Sequence, residues 1–140
     1  MNVAIVYWSG TGNTEAMAQA IAEGVKKSGN NASLFTASDF DATQINSFDS
    51  IAFGCPAMGA EVLEENEFEP MFSSCEDQLN GKKIALFGSY GWGDGEWMRS
   101  WEERCSNKGI MLIKEGLICH ENPDEEGLTQ CRLLGEALSI

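Results

Sequence analysis

Apolar and amphipathic stretches alternate along the chain. The first apolar run, Val-Ala-Ile-Val-Tyr at 3–7, contains no charged residue, which is typical of a strand buried on both faces of a parallel sheet. Apolar side chains then recur at helical spacing, which predicts a helix from Asn13 to Lys27 that ends at Ser28-Gly29-Asn30. The chain therefore begins with a strand, a short loop and a helix.

The same alternation continues to the end of the chain. Further strands are predicted at 32–36, 50–54, 84–88 and, from a less regular pattern, 110–113 with 116–119. Further helices are predicted from a first turn at Pro70 to a stop at Asn80-Gly81, and at 97–107 and 124–138. Strict alternation of strands and helices predicts an α/β fold, with a doubly wound parallel sheet and helices on both of its faces.

Length and charge narrow the class of protein. A chain of 140 residues is about the size of one domain, and we expect a single domain over 1–140. The chain holds 9 Lys and Arg against 22 Asp and Glu, a formal charge of -13. This charge repels the phosphates of nucleic acids and the surfaces of anionic membranes. The partners are therefore expected to be basic or small, with neither nucleic acid nor membrane among them.

Cysteine usage and the first residues bear on the cellular compartment. The five cysteines are widely spaced and form no C-x-x-C pair, which favours free thiols in a reducing cytoplasm. Residues 1–8 lack the positive and long apolar regions of a signal peptide. No apolar run is long enough to span a membrane. We therefore expect a cytoplasmic protein.

Three loops follow predicted strands at the edge of the sheet where the ligands of open α/β folds bind. They leave strands one, three and four. The candidate binding residues of the first loop are Ser9, Gly10, Thr11, Gly12, Asn13 and Thr14. Those of the second loop are Pro56, Ala57, Met58, Gly59, Ala60 and Glu61. Those of the third loop are Ser89, Tyr90, Gly91, Trp92, Gly93 and Asp94.

The first loop has the composition of an anion site built from neutral donors. Its glycines allow a tight curl with N–H groups directed inward, and its hydroxyl and amide side chains add further donors. The N-terminus of a helix follows, which also favours an anion. Because no Lys or Arg precedes Lys26, the loop suits a terminal monophosphate.

Two better-known phosphate motifs do not match this loop. A Walker A loop requires Gly-Lys-Ser/Thr, and no such Lys is present. The dinucleotide pattern G-x-G-x-x-G ends in a glycine where this chain has Glu15, which would bring a carboxylate near a pyrophosphate. Nucleoside triphosphates and tightly bound NAD are therefore disfavoured. A Gly-rich turn capped by Ser and Thr, without any ligand, is the remaining alternative.

The other two loops present groups that suit a flat ring. Trp92 lies between Gly91 and Gly93, so its indole has no bulky neighbours, and exposing it is costly unless a ligand covers it. Met58 offers a polarisable thioether that packs well against an aromatic face. A monophosphate cradle with a slot between Met58 and Trp92 is the outline of flavin mononucleotide (FMN).

With these motifs, the chain resembles the short-chain flavodoxins. Segments 3–14, 54–61 and 87–95 are similar to the phosphate loop and the two ring-binding loops of that family, and the similarity in order and spacing covers essentially all 140 residues. It extends to 67–70 and 81–83. The resemblance implies a five-stranded sheet in the order 2-1-3-4-5 with FMN at its switch point, flavodoxin being itself a standard example of that rule.

The resemblance also implies roles for individual residues. The FMN phosphate would be bound by Ser9, Thr11, Asn13 and Thr14. Met58 would lie on the inner face of the ring and Trp92 on the outer face. Glu61 would accept from the ring N3–H, and Ser89 would lie near the phosphate or the ribityl chain.

Two positions depart from the family pattern. Pro56 replaces a hydroxyl residue that many relatives use to hold the phosphate. Ala60 stands where some relatives have an acidic residue. The first change removes a hydroxyl from the expected phosphate site, and the second removes a charge near the ring.

The function implied by the resemblance is that of a low-potential one-electron carrier rather than an enzyme. Such a protein binds FMN non-covalently and shuttles electrons between redox enzymes through the semiquinone and hydroquinone states. Its partners would be low-potential donors and acceptors of the ferredoxin-using type with basic docking surfaces, and the carrier itself would be a monomer. An FMN-dependent NAD(P)H reductase is the alternative.

Two features are expected to tune the cofactor. Gly59 has no Cβ, so the Met58–Gly59 peptide could flip and present its carbonyl to the ring N5–H, as in the family, which would stabilise the neutral semiquinone. Acidic residues around the slot would oppose formation of the anionic hydroquinone. The candidates are Glu61, Glu64, Glu65 and Asp94, with Glu67 also at the rim and Glu69 only a helix start.

Other kinds of chemistry lack the residues that they need. The single histidine, His120, is expected on an exposed loop after the last strand, and no Ser-His-Asp or Cys-His set can be assembled around it. Neither paired histidines nor clustered cysteines suggest a metal site. Cys55 is expected to be a core thiol rather than a redox nucleophile.

Overall fold

A five-stranded parallel sheet forms the centre of the computed structural model, which describes residues 1–140. The strands are β1 (Asn2–Tyr7), β2 (Asn31–Thr36), β3 (Ser50–Gly54), β4 (Lys83–Tyr90) and β5 (Leu117–His120). The helices are α1 (Asn13–Lys27), α2 (Phe68–Cys75), α3 (Glu96–Asn107) and α4 (Glu125–Leu138). The strand order is β2-β1-β3-β4-β5, which confirms the order implied by the family resemblance.

The register of the sheet sets the ends of β1 and β3 level with Phe87, and β4 continues for three residues beyond it. Tyr7 of β1 pairs with Gly54 of β3, and Gly54 pairs in turn with Phe87 of β4. Every residue of β3 is buried, because strands flank it on both sides and helices cover both of its faces. The loops that leave β1 and β3 therefore start beside the last residues of β4, where the Ser89 carbonyl accepts the Ala57 N–H.

Two apolar cores lie on opposite faces of the sheet. One core, of 15 buried residues, includes Met17 and Ile21 of α1 and Leu134 of α4. The other core has 21 buried residues and includes Phe72 of α2 and Trp101 of α3. The prediction of a doubly wound sheet with helices on both faces is confirmed.

The crossover from β2 to β3 departs from the predicted strict alternation. It contains two short 3-10 segments, Ala37–Asp39 and Ala42–Ser47, instead of an α-helix. Asp41 accepts the backbone N–H of Thr43, and the side chain of Gln44 accepts the backbone N–H of Asp41. These local side-chain bonds favour a tight turn over a regular helix.

The segment before β5 also differs from the prediction. Residues 110–113 do not form a strand, because only Leu112 pairs with the sheet, at a single bridge to Ile84. The regular strand starts at Leu117 and ends at His120, so His120 belongs to β5 and not to a loop after it. The second helix is shorter than predicted and starts before Pro70, since proline is tolerated in the first turn.

Arg104 joins α2 to α3 on the second face. Its guanidinium lies 2.8 Å from Glu69 and 2.9 Å from Glu76, and 5.0 Å from the centre of the Phe72 ring. Hydrogen bonds from Arg104 lower the pKa of Glu69. Glu69 is therefore more than the helix start that was predicted, because it also holds the two helices together.

None of the helices combines the length and the apolar character needed to cross a membrane.

Candidate functional site

The three predicted loops meet at the carboxyl edge of the sheet. This edge contains the switch point of the sheet. There β1 is flanked by β2 on one side and by β3 on the other, so the strand order reverses. A cavity of about 260 Å³ lies there. Its lining comprises Trp8, Ser9, Gly10, Thr11, Asn13, Thr14, Pro56, Ala57, Met58, Ser89, Tyr90, Gly91 and Glu121.

Most of the predicted site residues line this cavity, but some do not. The remaining predicted residues lie in the same loops outside the lining and are Gly12, Gly59, Ala60, Glu61, Trp92, Gly93 and Asp94. A larger hollow of about 330 Å³ lies along α3, near Glu76, Arg104 and Lys108. No apolar side chain lines that hollow, so it does not suit a flat ring.

The loop at 9–14 is wound around the N-terminus of α1. The hydroxyl of Ser9 accepts the backbone N–H groups of Gly12 at 3.1 Å and Glu15 at 3.3 Å. Gly12 has a left-handed backbone, with φ of 96°. The backbone N–H groups of Thr11, Asn13 and Thr14 donate to no protein acceptor. The loop thus combines free donors with the positive end of a helix dipole, as an anion site requires.

A buried pair of hydroxyls forms the floor of this loop. Oγ1 of Thr14 and Oγ of Ser89 lie 2.8 Å apart, and the two residues are only 1% and 4% exposed. The pair joins the first turn of α1 to β4. The Ser89 carbonyl also accepts the backbone N–H of Ala57 at 3.0 Å, so the three loops share one anchor.

The loop at 56–61 forms a tight turn at its tip. The Met58 carbonyl accepts the Glu61 N–H at 2.7 Å, and the Val62 carbonyl accepts the Met58 N–H at 2.9 Å. Gly59 and Ala60 are exposed at the tip. A flip of the Met58–Gly59 peptide would therefore break the 2.7 Å hydrogen bond.

Glu61 lies between the second and third loops with an unpaired acceptor. Its backbone is left-handed, with φ of 57°, and its Oε1 atom is buried without a hydrogen-bond partner. A Cβ placed on Gly93 would lie 1.8 Å from this oxygen, so only glycine leaves room for the carboxylate. A buried carboxylate oxygen without a donor is costly, which points to a donor from a ligand.

Trp92 is displayed at the rim, as predicted. Its side chain stands outside the cavity lining, and the residue is 62% exposed. The next polar residue of the loop is Asp94, whose carboxylate lies 2.9 Å from the guanidinium of Arg99. The backbone carbonyl of Asp94 accepts a second guanidinium N–H of Arg99 at 3.0 Å. Arg99 thus tethers the third loop to α3 and offsets one of the predicted acidic charges.

Glu64 does not belong to the rim where it was predicted. It is 5% exposed, and its carboxylate accepts the backbone N–H groups of Asn66, Glu67 and Phe68 at 2.8–2.9 Å. Burial opposes ionisation of this group, but the three backbone donors outweigh it, so the pKa of Glu64 is lowered. Glu64 is therefore a structural anchor that shapes the entry to α2.

Cys55 lies directly below the second loop and is fully buried, as predicted for a core thiol. Its sulfur accepts the Glu64 N–H at 3.3 Å, and its carbonyl accepts the indole N–H of Trp97 at 3.1 Å. Burial raises the pKa of the thiol to about 12, so it stays protonated and poorly nucleophilic.

Two lining residues were missed by the sequence analysis. Trp8 follows β1 directly, and its indole N–H donates to Glu67 at 3.2 Å. Its position just before Ser9 was the available signal, since strand ends face the site. Glu121 follows β5 and has a left-handed backbone, with φ of 58°. No local pattern marks a non-glycine residue for that conformation, so the sequence held no signal for Glu121.

The fold and the cavity define a class of protein. They describe a doubly wound α/β protein that binds a phosphate-bearing ligand with a planar ring at the switch point of its sheet. The cavity joins the donor-rich loop at 9–14 to the apolar side chain of Met58. Glu61, in the same loop as Met58 but outside the lining, supplies an unpaired acceptor oxygen.

Comparisons with known proteins agree with this class. The flavodoxin family model matches residues 5–135. A flavodoxin of Clostridium beijerinckii is 50% identical over 121 residues, which cover 86% of this chain and 88% of the relative. A flavodoxin of Megasphaera elsdenii is 47% identical over 135 residues, with 96% of each chain covered. The solution structure of the two-electron reduced Megasphaera elsdenii flavodoxin superposes with a TM-score of 0.87 at 45% identity, covering 98% of each chain.

The chain belongs to the flavodoxin family. It is an FMN-binding electron carrier rather than an enzyme. The unpaired donors of the first loop, the buried Glu61 oxygen and the exposed Trp92 indole all fit FMN. The cofactor supplies the redox chemistry, and the protein supplies binding, orientation and electrostatics.

The Glu64 anchor gives a testable prediction for stability. Replacing Glu64 by Gln removes the negative charge to which three backbone N–H groups donate. We expect the free energy of unfolding at pH 7 to fall by about 1 to 3 kcal/mol. The pKa of Glu64 is lower in the folded chain than in the unfolded chain, where a glutamate has a pKa of about 4.3. Its stabilisation is therefore present above that pH and is lost as the pH falls through the folded pKa.

Urea denaturation of wild type and Glu64→Gln between pH 3 and 7 measures this difference, which should shrink in acid. Glu65→Gln is the matched control, because Glu65 is exposed and its neutralisation should change stability by less than about 0.5 kcal/mol. Equal stability of wild type and Glu64→Gln at pH 7 would contradict the anchoring role.

Proposed function

We propose that the FMN phosphate binds in the loop at 9–14 and that the ring lies between Met58 and Trp92. Backbone N–H groups there lack protein acceptors, among them those of Thr11, Asn13 and Thr14, and neighbouring side chains add hydroxyl and amide donors. No cation is needed, because neutral donors and a helix N-terminus stabilise a phosphate in a partly dry site. The buried Thr14–Ser89 pair holds the base of this cradle in place.

The observation that carries the ring assignment is the unpaired Oε1 atom of Glu61. This oxygen is buried beside Gly93, where the second and third loops meet, and no protein donor satisfies it. A ring N–H is such a donor, and its hydrogen bond would remove the cost of the buried acceptor. Met58 lines the cavity and would contact one face of the ring. The opposite face of the ring would cover the exposed indole of Trp92.

The carrier works at low potential because its acidic residues oppose added negative charge on the bound cofactor. One carboxylate about 10 Å away contributes roughly 0.4 to 1.7 kcal/mol, depending on the effective dielectric. This corresponds to roughly 20 to 70 mV per carboxylate. Asp94 is paired with Arg99, which offsets its charge, and the carboxylate of Glu64 is buried and directed at backbone donors before α2. Glu61 is therefore the main contributor, with exposed Glu65 and Glu67 adding smaller effects.

The same charge selects partners and surroundings. The net charge of -13 steers the protein toward redox proteins with basic docking surfaces, of the low-potential type that also uses ferredoxins. It acts as a monomer over a single domain, 1–140, in a reducing cytoplasm, which suits its five free and buried cysteines. Nucleic acid and membranes are not partners.

A reductive titration tests the proposal. The purified protein should bind one FMN, turn yellow, and be reduced in two separate one-electron steps, the second at the lower potential. Absorbance recorded against a reference dye measures both midpoint potentials. Failure to take up FMN would refute the proposal, and steady oxidation of NAD(P)H by the protein alone would support the reductase alternative, which nothing in the comparisons favours.

The charge of Glu61 gives a second prediction. Glu61→Gln should raise the second midpoint potential by roughly 20 to 70 mV, because one negative charge beside the cofactor is removed. Glu136→Gln is the matched control, since α4 ends at the opposite edge of the sheet, where the Leu138 carbonyl bonds to Ser50 at the start of β3. A second potential that moves equally in both variants would show that the effect is not local.

The tip of the second loop gives a third prediction. Rotation of the Met58–Gly59 peptide would turn the Met58 carbonyl toward a ring nitrogen, where it accepts a hydrogen bond only if that nitrogen is protonated. The rotation therefore favours uptake of the first electron with its proton. In Gly59→Val the branched side chain restricts the rotation, so the gap between the two potentials should narrow.

This variant is expected to fold, because a Cβ placed on Gly59 meets no atom within 4 Å. Ala60→Val is the control, since it adds the same side chain at the neighbouring exposed position. An unchanged gap in Gly59→Val would exclude the peptide rotation as the source of the separation.

A further inference from the structure

The end of β5 contacts the wall of the cofactor cavity at two successive residues. The Glu121 N–H donates to the Tyr90 carbonyl at 2.7 Å, and Nε2 of His120 lies 3.2 Å from the Gly91 carbonyl oxygen. The His120 and Tyr90 rings also pack together, with their centres 5.0 Å apart. Tyr90 and Gly91 both line the cavity, so the residues at the end of β5 support one of its walls through these hydrogen bonds.

The bond between His120 and Gly91 defines both a tautomer and a peptide orientation. A carbonyl oxygen can only accept, so Nε2 carries the proton and donates. In a trans peptide the C=O and the next N–H point in opposite directions, so this bond also orients the Trp92 N–H, away from His120. Gly91 has no side chain, and a Cβ there would meet no atom within 4 Å, so no side chain at this position fixes the orientation of the peptide.

We propose that His120 is a positioning residue that locks the Gly91–Trp92 peptide and so preorganises the ring-binding loop for FMN. The proposal rests on the proposed function, because it takes the third loop as the ring site. The donor comes from a neighbouring strand that is paired in register with β4, Tyr90 facing His120. A loop held from a sheet loses less conformational freedom when the cofactor binds.

Two variants of His120 distinguish the contribution of its N–H donor from that of its aromatic ring. His120→Phe keeps an aromatic ring against Tyr90 but removes the N–H, and it should raise the FMN dissociation constant about three- to tenfold, as expected for one lost hydrogen bond. His120→Gln keeps a side-chain N–H and should stay within about twofold of wild type. Quenching of FMN fluorescence during titration of the FMN-free protein measures each constant. Asn122→Ala is the control, because Asn122 is a close neighbour that makes no hydrogen bond to the third loop.

Hydrogen–deuterium exchange of the FMN-free protein provides a second measurement. Amides at 90–93 should exchange faster in His120→Phe than in wild type, and the rate should return toward wild type in His120→Gln. Wild-type affinity and exchange in His120→Phe would overturn the proposal, as would a His120→Gln variant that behaves like His120→Phe. If the wild-type protein binds no FMN, the proposed function fails, while the exchange rates still decide whether His120 holds the loop.

Discussion

The parallel register of β1, β3 and β4 is the constraint on which the rest of this molecule depends. Because Tyr7, Gly54 and Phe87 pair across the sheet, the loop residues Ser9 and Pro56 and the β4 residue Ser89, each two positions further on, lie at one level. The Ser89 hydroxyl and carbonyl then join the other two loops directly. The buried β3 makes any slip of this register costly, since each of its side chains would change faces.

Electrostatics at the site depends on pairing more than on proximity in the sequence. Five glutamates lie within 61–69, yet they have different roles: Glu64 is satisfied by backbone donors, Glu69 pairs with Arg104, and Glu67 accepts from Trp8. Glu61 alone of these has a buried oxygen without a donor. The phosphate cradle, in contrast, uses neutral donors, so a strongly acidic chain can bind an anionic cofactor and still resist added negative charge on its ring.

Local signals predicted the elements that local interactions determine. The helix at Asn13–Lys27 has the predicted bounds because its apolar spacing and its stop lie within a few residues of one another. The β2–β3 crossover lacks the helix that strict alternation predicts, because side-chain bonds at Asp41 close a tight turn there, and the predicted strand 110–113 is reduced to a single bridge at Leu112. Eleven of the cavity-lining residues were predicted; Trp8, next to Ser9 in the sequence, was overlooked, while Glu121 is brought there by the pairing of β5 with β4.

By itself, the sequence determined the class of this protein: the doubly wound sheet, the three loops at one edge and the donor-rich, cation-free loop that suits a monophosphate. These properties follow from periodicity and residue type, which act over a few positions. The tertiary structure alone decided which carboxylate lacks a partner, that Glu64 is an anchor rather than a rim charge, and that His120 reaches Gly91. Those outcomes depend on contacts between residues far apart in the chain, and no local pattern encodes which distant groups become hydrogen-bond partners.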